Sequence, residues 1–216
     1  MAEWTTMADG DTNSHGPANP TSGIGRPPKL SRGEIVAAAI DLADKRGLDA
    51  VTMRAVAAEL DCTAAALYRH VKNREELVDL LRDEVLTERH EVGPTGDWRA
   101  DLRAFALSML QLHASHPWLA TNDLPTTLGP ESLALTEAAV TLLDPHPARR
   151  GQKYSAIAVC FELVAGFARN GAAAQALSAE IATPAEPDGS EYALSVIVAA
   201  VIGVLDDEAL RDQAPR

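Results

Sequence analysis

Beyond Leu30, apolar residues recur three and four positions apart, and no stretch shows the strict alternation of a half-buried strand. Ser31-Arg32-Gly33-Glu34 reads as a capping box. Ile35, Ala39, Leu42 and Ala43 follow it at helical spacing, and Gly47 is placed to end that helix in a left-handed conformation. Thr52 then caps a short helix with Met53, Val56, Ala57 and Leu60 on one face. Asp61-Cys62-Thr63 forms a turn, and Thr63 caps a second short helix predicted over Ala64–His70. Asn73-Arg74-Glu75-Glu76 opens a longer helix to about His90, with Leu77, Leu80, Leu81 and Val85 as its apolar stripe. Gly93-Pro94-Thr95-Gly96-Asp97 breaks the pattern and marks a module boundary. Helical patterns resume over about 98–115, 116–121, 130–143, 148–178 and 190–210, separated by loops near Pro125, Pro145-His146-Pro147 and 183–190. The expected fold is all-α. It has a disordered tail at 1–25, a three-helix module at 26–90 and a larger helical module at 97–212.

Composition supports this reading. Hydrophobic residues make up 46% of the 216, aromatic residues only 4%, so the core candidates are Ala, Leu and Val, which favours close-packed helices. The net charge of −12 argues against nucleic acid until its distribution is considered. Residues 26–74 hold nine Lys/Arg against six Asp/Glu, whereas the remainder holds ten against 25. One acidic chain thus carries a basic stretch that can dock locally without indiscriminate binding. The two cysteines, Cys62 and Cys160, lie far apart in no metal-like spacing, so a reducing compartment is expected. The N-terminus lacks a signal peptide's basic and apolar regions. The apolar run Val196–Leu205 falls short of the roughly 20 residues that span a bilayer. A soluble, cytoplasmic protein without membrane contact is expected. No Gly-rich phosphate loop, nucleophile elbow or His-Glu-x-x-His is present and the six histidines do not cluster, so no enzyme, cofactor or metal site is expected.

Two short helices joined by a three-residue turn have the geometry of a DNA-reading helix-turn-helix, at about 52–71. The second helix enters the major groove. Small residues Ala64, Ala65 and Ala66 permit close approach to base edges, and Leu67 and Val71, four apart, face inward. Arg69 is the candidate for bidentate guanine recognition, or else a phosphate contact. Tyr68, His70 and Lys72 offer phosphate contacts, with Tyr68 alternatively a partly buried brace. Arg26 and Lys29 either follow the minor groove or belong to a free tail. Cys62 reads as a small buried thiol, with a redox switch as the alternative.

At these residues the chain resembles the tetracycline-repressor family of transcriptional regulators. The resemblance covers residues 29–90 through Thr52-Met53-Arg54, Val56-Ala57-Ala58-Glu59-Leu60 and Ala66-Leu67-Tyr68-Arg69-His70-Val71-Lys72-Asn73-Arg74-Glu75-Glu76-Leu77. The departure is Asp61, where the family usually has Gly. The resemblance implies that Thr52, Arg54, Ala64, Ala65, Tyr68, Arg69, His70 and Arg74 lie at the DNA, and Thr63 and Lys72 join them as DNA-binding candidates from the motif itself. More weakly, through Asp97-Trp98-Arg99 and His116-Pro117-Trp118-Leu119, it implies a C-terminal domain that holds a small-molecule effector and dimerises through about 153–175 and 190–205. Tyr192, Val196, Ile197, Val201 and Leu205 would supply the apolar surface of that dimer. The implied function is a repressor released from a palindromic operator, with an activator as the alternative. Candidate effector contacts are His90, Phe105, Met109, His113, Trp118, Phe161 and Glu162. His90 falls where the tetracycline repressor has a drug-contacting histidine, but is alternatively an ordinary helix-end residue. Phe105 stands where that repressor has its drug-binding asparagine, and no histidine after Trp118 is placed to hold the drug's magnesium ion, so another ligand is expected.

Overall fold

A computed structural model describes residues 30–120, 127–180 and 189–208. The tail at 1–25 and the basic arm with Arg26 and Lys29 lie outside the described residues. The described secondary structure is wholly helical, as expected. In chain order it comprises α1 (Arg32–Arg46), α2 (Met53–Glu59), α3 (Ala64–Leu67), α4 (Arg74–Val85), α5 (Trp98–Ser115), α6 (Pro130–Leu142), α7 (Arg150–Glu180) and α8 (Gly189–Asp206). Short 3-10 turns follow α1 (Leu48–Ala50), α4 (Leu86–Glu88) and α5 (Pro117–Ala120).

The local signals act where the sequence puts them. Ser31 Oγ accepts from Glu34 N at 3.2 Å while Ser31 N donates to the Glu34 carboxylate at 2.8 Å, closing the capping box of α1. Gly47 has the expected positive φ of 80°, but its ψ of 164° sends the chain out extended rather than through a left-handed helical turn. Asp97 caps α5 by accepting from Arg99 N and Ala100 N, at 3.1 and 3.3 Å. The stripe of α4 differs in one position: Val78 is buried, whereas Leu80 is half-buried.

These helices enclose two apolar cores. α1–α4 gather Ile35, Val56, Leu67, Leu77 and Leu81, each fully buried. α5–α8 gather Leu102, Leu143, Ile157, Ile197 and Leu205, equally buried. Ile197, Val201 and Leu205, read from the sequence as dimer surface, therefore belong to the protomer's own core. The reason is that α8 lies along α7 and α5 and spends that face there. Tyr192 does stand exposed, and Val196 is half-buried.

Trp118 crosses between the cores. It lies on the turn after α5 but is buried against the α1–α4 core, its indole N–H donating to Asp44 Oδ1 at 2.7 Å. Beside it His116, at the C-terminal cap of α5, places Nδ1 2.8 Å from Asp44 Oδ1 and Nε2 3.1 Å from Glu88 Oε2.

A reading helix, an apolar cavity and the tie between them

The helix-turn-helix is built from caps and one strained residue. Thr52 Oγ1 accepts from Ala55 N at 3.1 Å and Thr63 Oγ1 from Ala66 N at 3.3 Å, starting α2 and α3. Between them Asp61 takes φ 47°, a left-handed conformation that Asp tolerates better than most residues. Cys62 N then returns to Ala57 O at 2.9 Å. α3 is shorter than expected. It ends at Leu67, and Tyr68–His70 continue as tight turns in which Arg69 N donates to Ala66 O and His70 N to Leu67 O. The physical reason lies just downstream. Asn73 must be extended (φ −157°) to cap α4 through Glu76 N, and buried Leu67 and Val71 pin both sides of the exit.

Around that short helix Thr52, Arg54, Thr63, Ala65, Tyr68, Arg69 and Lys72 are exposed, and Ala64 and His70 are half-buried. Tyr68 is 54% exposed, so its ring stands in solvent and braces nothing. The side chains of Arg54, Arg69 and Lys72 form no ion pair with any described residue. Arg74 is placed differently: its guanidinium turns inward and donates to Val51 O at 2.8 Å and Leu48 O at 2.9 Å, fastening the segment before α2 to α4. Nothing in the sequence pattern separates this arginine from its exposed neighbours. Only the two backbone carbonyls it meets do so.

The C-terminal candidates divide among three places. Met109, His113, Phe161 and Glu162 line a cavity of about 560 Å³ among α4, α5, α6 and α7. His90 and Phe105 border a smaller one of about 240 Å³, in which Phe105 is core, edge-on to Phe161 at 5.9 Å between centroids. Trp118 borders a cleft against Asp44 and Leu48, away from both. The sequence reading missed Arg82, Leu86, Leu135 and Ile157 on the large cavity's wall. The helical spacing marks Leu135 and Ile157 as apolar, but whether an apolar position meets a neighbour or an opening depends on how the helices cross. Cys160 is fully buried, and burial pushes its thiol up to about 12, which suits an inert core residue. Among the described residues, no group of three His, Cys, Asp or Glu side chains is arranged to hold a metal ion.

The cavity is tied to the reading helices through α4. Asp83 caps α6 across the interface: Ser132 N and Oγ donate to Oδ1 at 2.9 and 3.1 Å, and Glu131 N to Oδ2 at 3.3 Å. One turn earlier Asp79 accepts from Thr127 N and Oγ1, at 3.0 and 3.2 Å. The Asp83 carboxyl occupies the space that a Cβ on Gly129 would need, and Gly129 itself has an unstrained φ of −77°. Gly129→Ala is therefore expected to expel the carboxylate and destabilise the fold by about 1–3 kcal/mol, the range for stranding buried polar partners. Urea unfolding checks this. Adding Asp83→Ala should make the glycine substitution nearly neutral, because the clashing group is gone; equal losses in both backgrounds would refute the shared contact.

The comparisons with known proteins agree with this geometry. Residues 35–81, from α1 into α4, match the family model described as bacterial regulatory proteins, tetR family. The chain is 38% identical over 149 residues to the HTH-type transcriptional repressor DrrR1 of Streptomyces coeruleorubidus, covering 68% of this chain and 55% of that protein. It is 37% identical over 83 residues to the class G tetracycline repressor of Vibrio anguillarum, covering 37% of this chain and 40% of that one. The chain spans about half the length of these curated relatives. Among solved structures, a TetR variant from Acinetobacter baumannii AYE in complex with minocycline superposes with a TM-score of 0.69 at 27% identity, covering 86% of this chain and all of that one. ActR of Streptomyces coelicolor in complex with actinorhodin gives 0.65 at 26% identity, covering 82% of this chain and 97% of that one. With a helix-turn-helix that matches the family model and an all-helical fold shared along nearly the full length of these structures, the chain belongs to the tetR family of bacterial regulatory proteins.

Proposed function

We propose that this protein is a dimeric, sequence-specific transcriptional repressor, released from a near-palindromic operator when a small molecule enters the 560 Å³ cavity. In this reading residues 26–90 form the DNA-binding domain, with its reading motif at 52–71, and residues 97–212 hold the effector and dimerise. The observation that carries it is the exposed basic face of Arg54, Arg69 and Lys72, whose side chains form no ion pair with any described residue, around a one-turn helix of small residues. Ala65 and the half-buried Ala64 let the backbone approach base edges, Arg69 is the reader of a guanine, and Tyr68, His70 and Lys72 meet phosphate. Thr52 and Thr63 spend an oxygen on capping, but each hydroxyl proton remains available to a phosphate. Arg74 acts as an internal fastener that fixes how the reading helix is presented.

The family relationship and the name of the Streptomyces coeruleorubidus relative support repression rather than activation. The ligands in the minocycline and actinorhodin complexes of related proteins support a polycyclic effector. Dimerisation falls to the outer faces of α7 and α8, about 153–175 and 190–205, where Tyr192 is 70% exposed and Val196 half-buried. No described helix is long and apolar enough to cross a membrane, consistent with action in the cytoplasm.

The test is selection of bound fragments from genomic DNA at about 150 mM salt, where nonspecific attraction is weakened, followed by footprinting. A protected near-palindrome with half-sites about 34–36 Å apart is expected. Arg69→Ala should weaken binding by about 1–3 kcal/mol and relax preference at one base position. An equal loss on every sequence would reassign Arg69 to phosphate. Weak, sequence-blind binding by the intact protein would reject the regulator reading itself.

A further inference from the structure

Apart from Arg82, the polar side chains on the cavity wall have one thing to offer a ligand, hydrogen-bond acceptors. His113 sets its Nδ1 2.8 Å from Met109 O. A carbonyl can only accept, so Nδ1 carries the proton and Nε2 presents a lone pair. The ring has no other hydrogen bond to a described residue. Burial holds the imidazole below its ordinary pKa against the pull of the Met109 carbonyl, and the nearby Arg169 cation acts in the same direction. The hydroxyls on the facing walls have already spent their single protons. Ser132 Oγ donates to Asp83, Thr136 Oγ1 to Ser132 O at 2.9 Å and Tyr154 OH to Glu137. What they can offer a ligand is lone pairs. Glu162 adds a carboxylate, and Arg82, the cation on the lining, is already engaged within the protein. Everything else on the wall is apolar, with Met109, Leu135, Ile157 and Phe161 at its centre.

Resting on the reading of this cavity as the effector site, we propose that it selects a polycyclic ligand carrying phenolic hydroxyl donors and rejects the same ring skeleton bearing ethers or a carboxylate. A buried acceptor left without a donor loses its water for nothing in return, and a ligand carboxylate meets lone pairs and the Glu162 charge, while the guanidinium groups of Arg82 and Arg169 are engaged within the protein. The volume suits a planar molecule of three or four fused rings.

Isothermal titration of the intact protein with a dihydroxyanthraquinone, its dimethyl ether and an anthraquinone carboxylate of the same skeleton tests this. The phenol is expected to bind at least about ten-fold tighter than either relative. His113→Phe should erase most of that preference, weakening the phenol and tightening the ether, whose unmet acceptor is gone. If His113→Phe melts early, Glu162→Gln, at an exposed position on the same wall, should narrow the margin over the ether and over the carboxylate. Equal binding of phenol and ether, tighter binding of the carboxylate, or no binding of any of the three overturns the proposal. Release of footprinted DNA separates it from the functional reading. Discrimination without release leaves the ligand class standing and removes the effector role, whereas release by the ether as readily as by the phenol does the reverse.

Discussion

Trp118→Ala is expected to destabilise the protein by about 3–5 kcal/mol, the range for emptying a buried Trp site. Its midpoint of thermal unfolding should fall by about 10 °C or more. The side chain is 4% exposed, and its loss strips the α1–α4 core of an indole supplied from beyond α5. It also leaves Asp44 without the indole donor at 2.7 Å. Because the indole seats the turn after α5 in the α1–α4 core, the variant should lose more than stability. Hydrogen exchange should show α1–α4 opening before α5–α8, where the parent opens both together. Trp118→Phe keeps most of the buried surface and should recover more than half the loss. If Trp118→Ala keeps the parent's melting point and single exchange transition, the two cores are coupled elsewhere, and α4 with its Asp83 cap becomes the connection that matters.

That residue also shows where sequence reasoning stops. The capping residues Ser31, Thr52, Thr63 and Asn73 were legible because a cap is a local bargain between a side chain and amides two or three positions on. The positive φ of Asp61 and the burial of Leu67 and Val71 were legible for the same reason. The reading helix was overdrawn by three residues, because its end is set by the next helix's need for an extended cap at Asn73. In the C-terminal half, apolar spacing marks which residues turn inward but not what they meet. Ile197, Val201 and Leu205 met α5 and α7, Met109 and Phe161 met an opening, and Trp118 met the other core. Periodicity is a property of one helix, whereas a cavity or a bridge depends on the crossing of several. Asp83 is the sharpest case: it reads as a solvent-facing acid on α4, and it is the N-terminal cap of a helix some fifty positions away.

Raising the pH through and above the usual imidazole range should loosen the tie between the same two cores. His116 is 5% exposed and both of its ring nitrogens face carboxylates, Asp44 on α1 and Glu88 on the turn after α4, with the Trp118 indole sharing Asp44. Arg46 and Asp49 border the adjoining cleft. Only the doubly protonated ring donates to both acids; the neutral ring turns one lone pair toward an anion. Burial opposes the charge, but the hydrogen bonds to Asp44 and Glu88 outweigh it and raise the pKa above its ordinary value of 6.5. The folded state therefore holds the proton more tightly than the unfolded chain. Its contribution is complete below the ordinary value and fades as the pH climbs through the raised one. His116→Gln should cost about 1–2 kcal/mol at acid pH, the low end for charge-assisted bonds, because Asp44 and Glu88 both reach water. At alkaline pH it should cost much less. Urea midpoints of parent and variant between about pH 5.5 and 8.5 measure the convergence. Parallel curves would show that His116 is held neutral and serves only as packing. Convergence would mean that the contact joining α1, the turn after α4 and the end of α5 tightens and loosens with proton concentration.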